Sequence, residues 1–179
     1  MKRTLGTTGL VVCLMVIATL RASAQTATLK GEALKDWNAM KDTIVKLAQE
    51  MPEDKYTYKS TPAQRDFGQQ ALHIAQVNVG FLPLVGGKAA APMIDTKATK
   101  KADIVKALSD SFDYGTALIN EQTDQSMLET VNARFMGPST RARVFSFLIG
   151  HTWDIYGQMV VYLRLNGGVP PASQPRNRP

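Results

Sequence analysis

Two histidines, His73 and His151, are the residues of this 179-residue chain best suited to chemistry. Each falls in a stretch where apolar residues recur at three- and four-residue intervals, the mark of a helix with one buried face. At about 100° per residue, His151 shares a direction with Val144, Leu148, Ile155, Gln158, Tyr162 and Leu165, so it points inward from the centre of its stripe. His73 stands about 40° from Val77 on the same count, at the margin of its own stripe beside Gln69 and Gln70. Inward imidazoles from two helices can meet in one pocket. Neutral imidazole is a ligand for zinc, nickel or iron(II), and its second ring nitrogen then needs an acceptor. The plainer alternative is a pair of hydrogen-bonded core histidines, and two imidazoles are fewer than the three protein ligands usual at a catalytic zinc. The sequence contains no Ser-His-Asp order, phosphate loop, haem-attachment motif or paired-carboxylate signature.

Four periodic segments must position these side chains. Leu34, Trp37, Met40, Ile44, Leu47 and Met51 form the first, which Pro52 stops. The second is expected to start at Thr61-Pro62-Ala63-Gln64, read as a capping box with proline at the first helical position. Its stripe then runs Phe67, Ile74, Val77, Phe81 and Val85 to Gly86-Gly87. After the loop "GGKAAAPMIDTKATKK" comes a third helix marked by Ile104, Leu108, Phe112, Gly115 and Ile119. A polar connection leads to the fourth, capped by Ser139 or Thr140 and ended by Asn166-Gly167-Gly168 and Pro170-Pro171. No stretch alternates as a strand does. The expected architecture is an all-α four-helix bundle with a long connection between helices 2 and 3 that lets the chain cross over.

The first residues read differently. Met1-Lys2-Arg3, the apolar run "GLVVCLMVIATL" and the small residues "ASA" give the order of a secretory signal peptide cut after Ala24. The apolar run is shorter than the roughly 20 residues a spanning helix needs, which argues against an uncleaved anchor. Residues 1–24 are thus expected to be a signal, 25–173 the bundle and 174–179 a flexible tail. The protein would be exported, periplasmic or secreted, with no stable membrane insertion after cleavage. Cys13 is the sole cysteine and lies in the signal, so the mature chain has no thiol for covalent catalysis, and Val12 before it argues against lipidation. Losing Lys2, Arg3 and Arg21, with no acidic residue, lowers the formal net charge from +6 to +3. Basic and acidic residues interleave, so nucleic acid is not an expected partner.

"FGQQALHIAQVN" together with "HTWDIYGQMVVYLRLNGGVPP" strongly resembles the DinB-like (damage-inducible, YfiT-like) family of metal-binding four-helix bundles, over about Leu29 to Ser173. The resemblance implies a divalent metal held by one histidine of the second helix and two at i and i+4 of the fourth. His73 matches the first and His151 the second; the third position is Ile155. Asp154 is a weak substitute, turned from Ile155 by a full step of about 100°, and the neutral Gln158 and Tyr162 are poor ligands. The resemblance also implies transferases that use a low-molecular-weight thiol, the metal activating thiol or substrate. With the third ligand missing, the expected function is a binding or non-catalytic protein with a degenerate two-His site, its metal weakly bound or absent. The alternative is a divalent-metal-dependent transferase or hydrolase using His73 and His151. A small molecule in the bundle pocket is the expected ligand. The second apolar stripe of the fourth helix, Ile149, Trp153, Tyr156, Val160 and Leu163, is read either as covered by other elements or as a homodimer face.

Overall fold

Helical periodicity resolves into four long helices in the computed structural model, which describes residues 27–175. The expected signal segment, residues 1–24, and the last four residues of the tail lie outside the described residues. Helix α1 (Leu29–Glu50) starts at Thr28, whose side chain accepts from the Gly31 amide, and buries Trp37, Met40, Ile44 and Leu47 as the spacing requires. Pro52 follows its end, where the Lys101 ammonium donates to the carbonyls of Gln49 and Met51 at 2.7 and 2.8 Å. A cation there complements the negative end of the helix.

Helix α2 (Phe67–Phe81) begins later than the sequence suggested. Its cap is Asp66, which accepts from the Gln69 amide at 2.7 Å while the Gln69 side chain accepts from the Asp66 amide at 3.0 Å. The expected box at Thr61–Gln64 does not form. The Phe67 and Gly68 amides donate back to the carbonyls of Tyr58 and Tyr56, which holds the preceding segment as a non-helical turn. Gln64 is engaged instead by Ser60 and by the Tyr162 hydroxyl. At the far end a 3-10 turn over Leu82–Val85, with Pro83 in its first turn, succeeds the α-helix.

Helix α3 (Lys101–Glu121) buries Ile104, Leu108, Phe112, Gly115 and Ile119, all five marked by the sequence. A single-turn helix α4 (Asp124–Met127) follows, and then two three-residue strands, β1 (Thr130–Asn132) and β2 (Pro138–Thr140). They pair antiparallel with Val131 opposite Ser139. This hairpin was not expected, because three residues are too few to show alternation. Helix α5 (Arg141–Leu165) is capped by Thr140, which accepts from Arg143, and ends at Asn166 with Gly167 at φ 79°.

The four long helices form a ring in which α3 packs on α1 and α2, and α5 packs on the same two helices from the other side. Helices α2 and α3 run parallel, since Asn78 donates to Ser111 while Gly68, ten residues earlier, faces Ile104. The connection over residues 86–100 must therefore travel back along the bundle, as expected of a crossover. Helix α1 runs antiparallel to α3: Lys41 pairs with Asp113 at 2.6 Å, and Lys101 caps the opposite end of α1. Trp37 sits at the centre, its ring 4.8 Å from Phe112 and 5.9 Å from Phe145, and its Nε1–H donates to the Phe112 carbonyl at 2.8 Å.

The second stripe of α5 is divided. Val160 and Leu163 belong to the buried core, Ile149 and Tyr156 pack at its edge, and only Trp153 is half exposed. Covering by the bundle therefore takes up most of the face that the sequence left open to self-association. No described helix is long and apolar enough to cross a membrane.

Candidate functional site: an imidazole pair between two helices

Antiparallel packing of α2 on α5 brings the two histidines together. Their Nε2 atoms are 3.2 Å apart and their rings meet edge to face, with centroids 5.0 Å apart. Both side chains are half-buried. Toward the start of α5, Phe147 lies 6.2 Å from the His151 ring and joins Phe81 and Phe135 in an aromatic cluster. Toward its end, Gln70 of α2 donates to Gln158 of α5 at 2.7 Å, and the Tyr162 hydroxyl is hydrogen-bonded to the Arg65 carbonyl at 3.0 Å. Beside His73 a polar cleft of about 330 Å³ is lined by Arg65, Gln69, Leu72, His73, Gln76 and Thr96.

Several of these were not evident beforehand. Gln70, placed by the sequence only at the margin of its stripe, is 2% exposed and bridges the two helices. Arg65 was hidden by the misplaced helix start, which put it inside the first turn instead of just before the cap. The nearest signal is the second D-x-x-Q spacing, Asp66 to Gln69. Thr96 comes from the crossover connection and carries no sequence signal at all.

Two neutral imidazoles at this distance need one Nε2–H and one bare Nε2. The buried Nδ1 of His151 has no hydrogen-bond partner. Leaving a bare acceptor there costs less than stranding an N–H, so His151 is assigned the Nε2–H and donates to His73. Burial, more than any neighbouring charge, holds both pKa values below the ordinary 6.5. For His73 the Arg65 charge and then His151 add to that lowering, whereas for His151 the carboxylate of Asp154 opposes it and Arg65 reinforces it.

A folded pKa below the unfolded value means that the unfolded chain binds more protons. The pair therefore contributes stability that is fully present above about pH 6.5 and is lost as the pH falls through the folded values. Thermal unfolding of the wild type should consequently drop relative to a His73→Gln/His151→Gln variant between about pH 7 and about pH 5. Parallel pH profiles for the two proteins would show that the imidazoles titrate alike in both states.

The model of the DinB family matches residues 23–178, nearly the whole chain. The chain belongs to the DinB family. Among solved structures, a DinB-like protein from Bacillus cereus is similar over 80% of this chain and 96% of its own, with a TM-score of 0.63 at 21% identity. A DinB-like protein from Bacillus subtilis is similar over 81% of this chain and 99% of its own, with a TM-score of 0.62 at 14% identity. At those identities the likeness is one of fold. Among curated proteins none matches.

The ligand set that DinB resemblance implies is two-thirds present in this chain. Two imidazole nitrogens on one tetrahedral zinc stand about 3.3 Å apart, given Zn–N bonds of about 2.0–2.1 Å, and His73 and His151 already hold theirs at 3.2 Å. The third position does not fit. Ile155 is 4% exposed and offers only hydrocarbon. Asp154 is exposed and its carboxylate lies 3.4 Å from the Gln158 amide nitrogen. Among the described residues no group of three His, Cys, Asp or Glu side chains could hold a metal. The partnerless Nδ1 of His151 also lacks the acceptor that normally orients a ligating imidazole.

Proposed function

We propose that this DinB-family chain is a binding protein whose ligand site is the polar cleft lined by His73, with His151 hydrogen-bonded behind it, and that the imidazole pair takes up divalent metal only weakly. The observation that carries the reading is the close approach of the two Nε2 atoms at 3.2 Å with hydrocarbon in the place of a third ligand. Two preset imidazoles give a metal a foothold. With water at every other position, such a site competes poorly with buffer and with better chelators. Protein purified without chelators should hold less than about a tenth of an equivalent of zinc, nickel or iron by elemental analysis. Added zinc should bind weakly and be lost on His151→Ala. Near-stoichiometric metal in the purified wild type would overturn the reading.

The alternative is a metal-dependent transferase or hydrolase, and the nitrogen separation is what favours it. In that case His73 and His151 would hold the metal, which when bound would polarise a substrate or lower the pKa of a bound thiol or water. Gln70 and Gln158 would fix the position of the two helices. The same elemental analysis separates the two readings, because catalysis requires an occupied site.

A further inference from the structure

We propose that Arg65 makes this cleft selective for a small organic ligand bearing an oxyanion, a carboxylate or a phosphate. The proposal deepens the binding reading and rests on the cleft being the ligand site. Arg65 is exposed, and among the described residues no carboxylate forms an ion pair with it. Its backbone is held beside the cleft, because the Tyr162 hydroxyl donates to its carbonyl. The other lining residues are Gln69, Leu72, His73, Gln76 and Thr96, so no acidic side chain faces it across the cavity.

The acid next to it in sequence, Asp66, lines the adjoining cleft, but its carboxylate caps α2 through the Gln69 amide. Arg65 is close enough to both imidazoles to disfavour their protonation, so its positive charge acts across the whole site. A guanidinium without an ion-pair partner among the described residues, lining a cavity whose walls carry amides and a hydroxyl, presents a fork that matches two oxygens of one anionic group. His73 shares the lining with Arg65, so the remainder of the ligand would rest beside that imidazole. Arginine on a surface is ordinarily solvated and idle; here it borders a polar cavity without a counter-charge, which is the arrangement an incoming anion completes.

The test uses the protein stripped of metal by chelator and dialysed into low salt, with benzoate, phenyl phosphate and benzamide as probes followed by calorimetry and by the NMR signals of His73 and Arg65. At least one anion should bind saturably, and benzamide, of like shape but uncharged, should bind far more weakly. Arg65→Gln should weaken the anion roughly ten- to a hundredfold, as expected for losing a charge-assisted pair. Arg65→Lys should recover part of that loss, and unfolding midpoints of both variants will show that they remain folded. The arm that binds distinguishes carboxylate from phosphate. Failure of both anions to bind, benzamide binding as tightly, or an unchanged affinity in Arg65→Gln would each overturn the proposal. Because metal is absent throughout, anion binding survives a failure of the metal reading, and metal uptake without anion binding removes this proposal alone.

Discussion

Ile155→His should convert a weak metal binder into a tight one, raising zinc affinity at least about a hundredfold, or about 2.7 kcal/mol. The argument is geometric. Position 155 lies one turn beyond His151 on α5, and side chains four apart share a helix face with Cβ atoms about 5–6 Å apart. His73 and His151 already stand at ligand spacing, so the new imidazole completes a three-nitrogen set without moving either helix. The apo variant should be less stable than wild type by about 2 kcal/mol, because a polar ring replaces a core aliphatic side chain that is 4% exposed. Zinc should more than restore that loss, since it binds the folded state alone. Titration with a competing chelator measures the affinity and thermal unfolding with and without zinc measures the linkage. A variant that binds zinc no better than wild type would mean that position 155 does not face the imidazole pair.

Gly115→Ala should destabilise the bundle by about 3 kcal/mol, the upper range for overpacking a core. Helix propensity alone argues the other way, since alanine is favoured over glycine inside a helix by about 1 kcal/mol. The sign of the change therefore tests the packing directly. Gly115 lies under the indole of Trp37, where a methyl would overlap Cζ2 and stand 2.5 Å from Cε2 and 2.8 Å from Nε1. The indole cannot swing away, because Phe112 and Phe145 flank it and its N–H is committed to the Phe112 carbonyl. Helices α1 and α3 would have to part along their seam. Urea unfolding measures the loss. Combining the change with Trp37→Leu should cost less than the two single effects added, because the smaller side chain leaves room for the methyl. A Gly115→Ala protein as stable as wild type would refute the close approach.

The features that periodicity could reach were those in which burial and helical geometry act along one segment. All five marked residues of α3 are buried, as are Trp37, Met40, Ile44 and Leu47 of α1, while Leu34 is only partly buried and Met51 lies just past the helix. Thr140 and Asn166 bound α5 where a cap and a stop were expected. The same counting allowed His73, at the margin of its stripe, to meet His151, at the centre of its own, and the packing of α2 on α5 brings them to 3.2 Å. Where a local signal competed with a longer-range one, the local one misled. Thr61–Gln64 and Asp66–Gln69 both carry a cap followed by a glutamine, and only the backbone bonds from Phe67 and Gly68 to Tyr58 and Tyr56 decide between them. Sequence spacing contains no trace of those bonds. The cleft was out of reach for the same reason. Thr96 arrives from a connection without periodicity, and Arg65 takes its place only once the helix start is known. Val160 and Leu163 looked like a second face because a wheel shows direction but not how far the neighbouring helices wrap around it.

The placement of the two tryptophans makes the protein its own optical reporter. Trp37 is sealed from water and Trp153 is half exposed, so their emission should differ in colour and in access to quenchers. Loss of the interior will redden one, while any molecule that lands on the outer side of the last long helix will perturb the other. Replacing Trp153 by phenylalanine leaves a single emitter for the heart of the bundle, and Trp37→Leu leaves one that watches only its outer side.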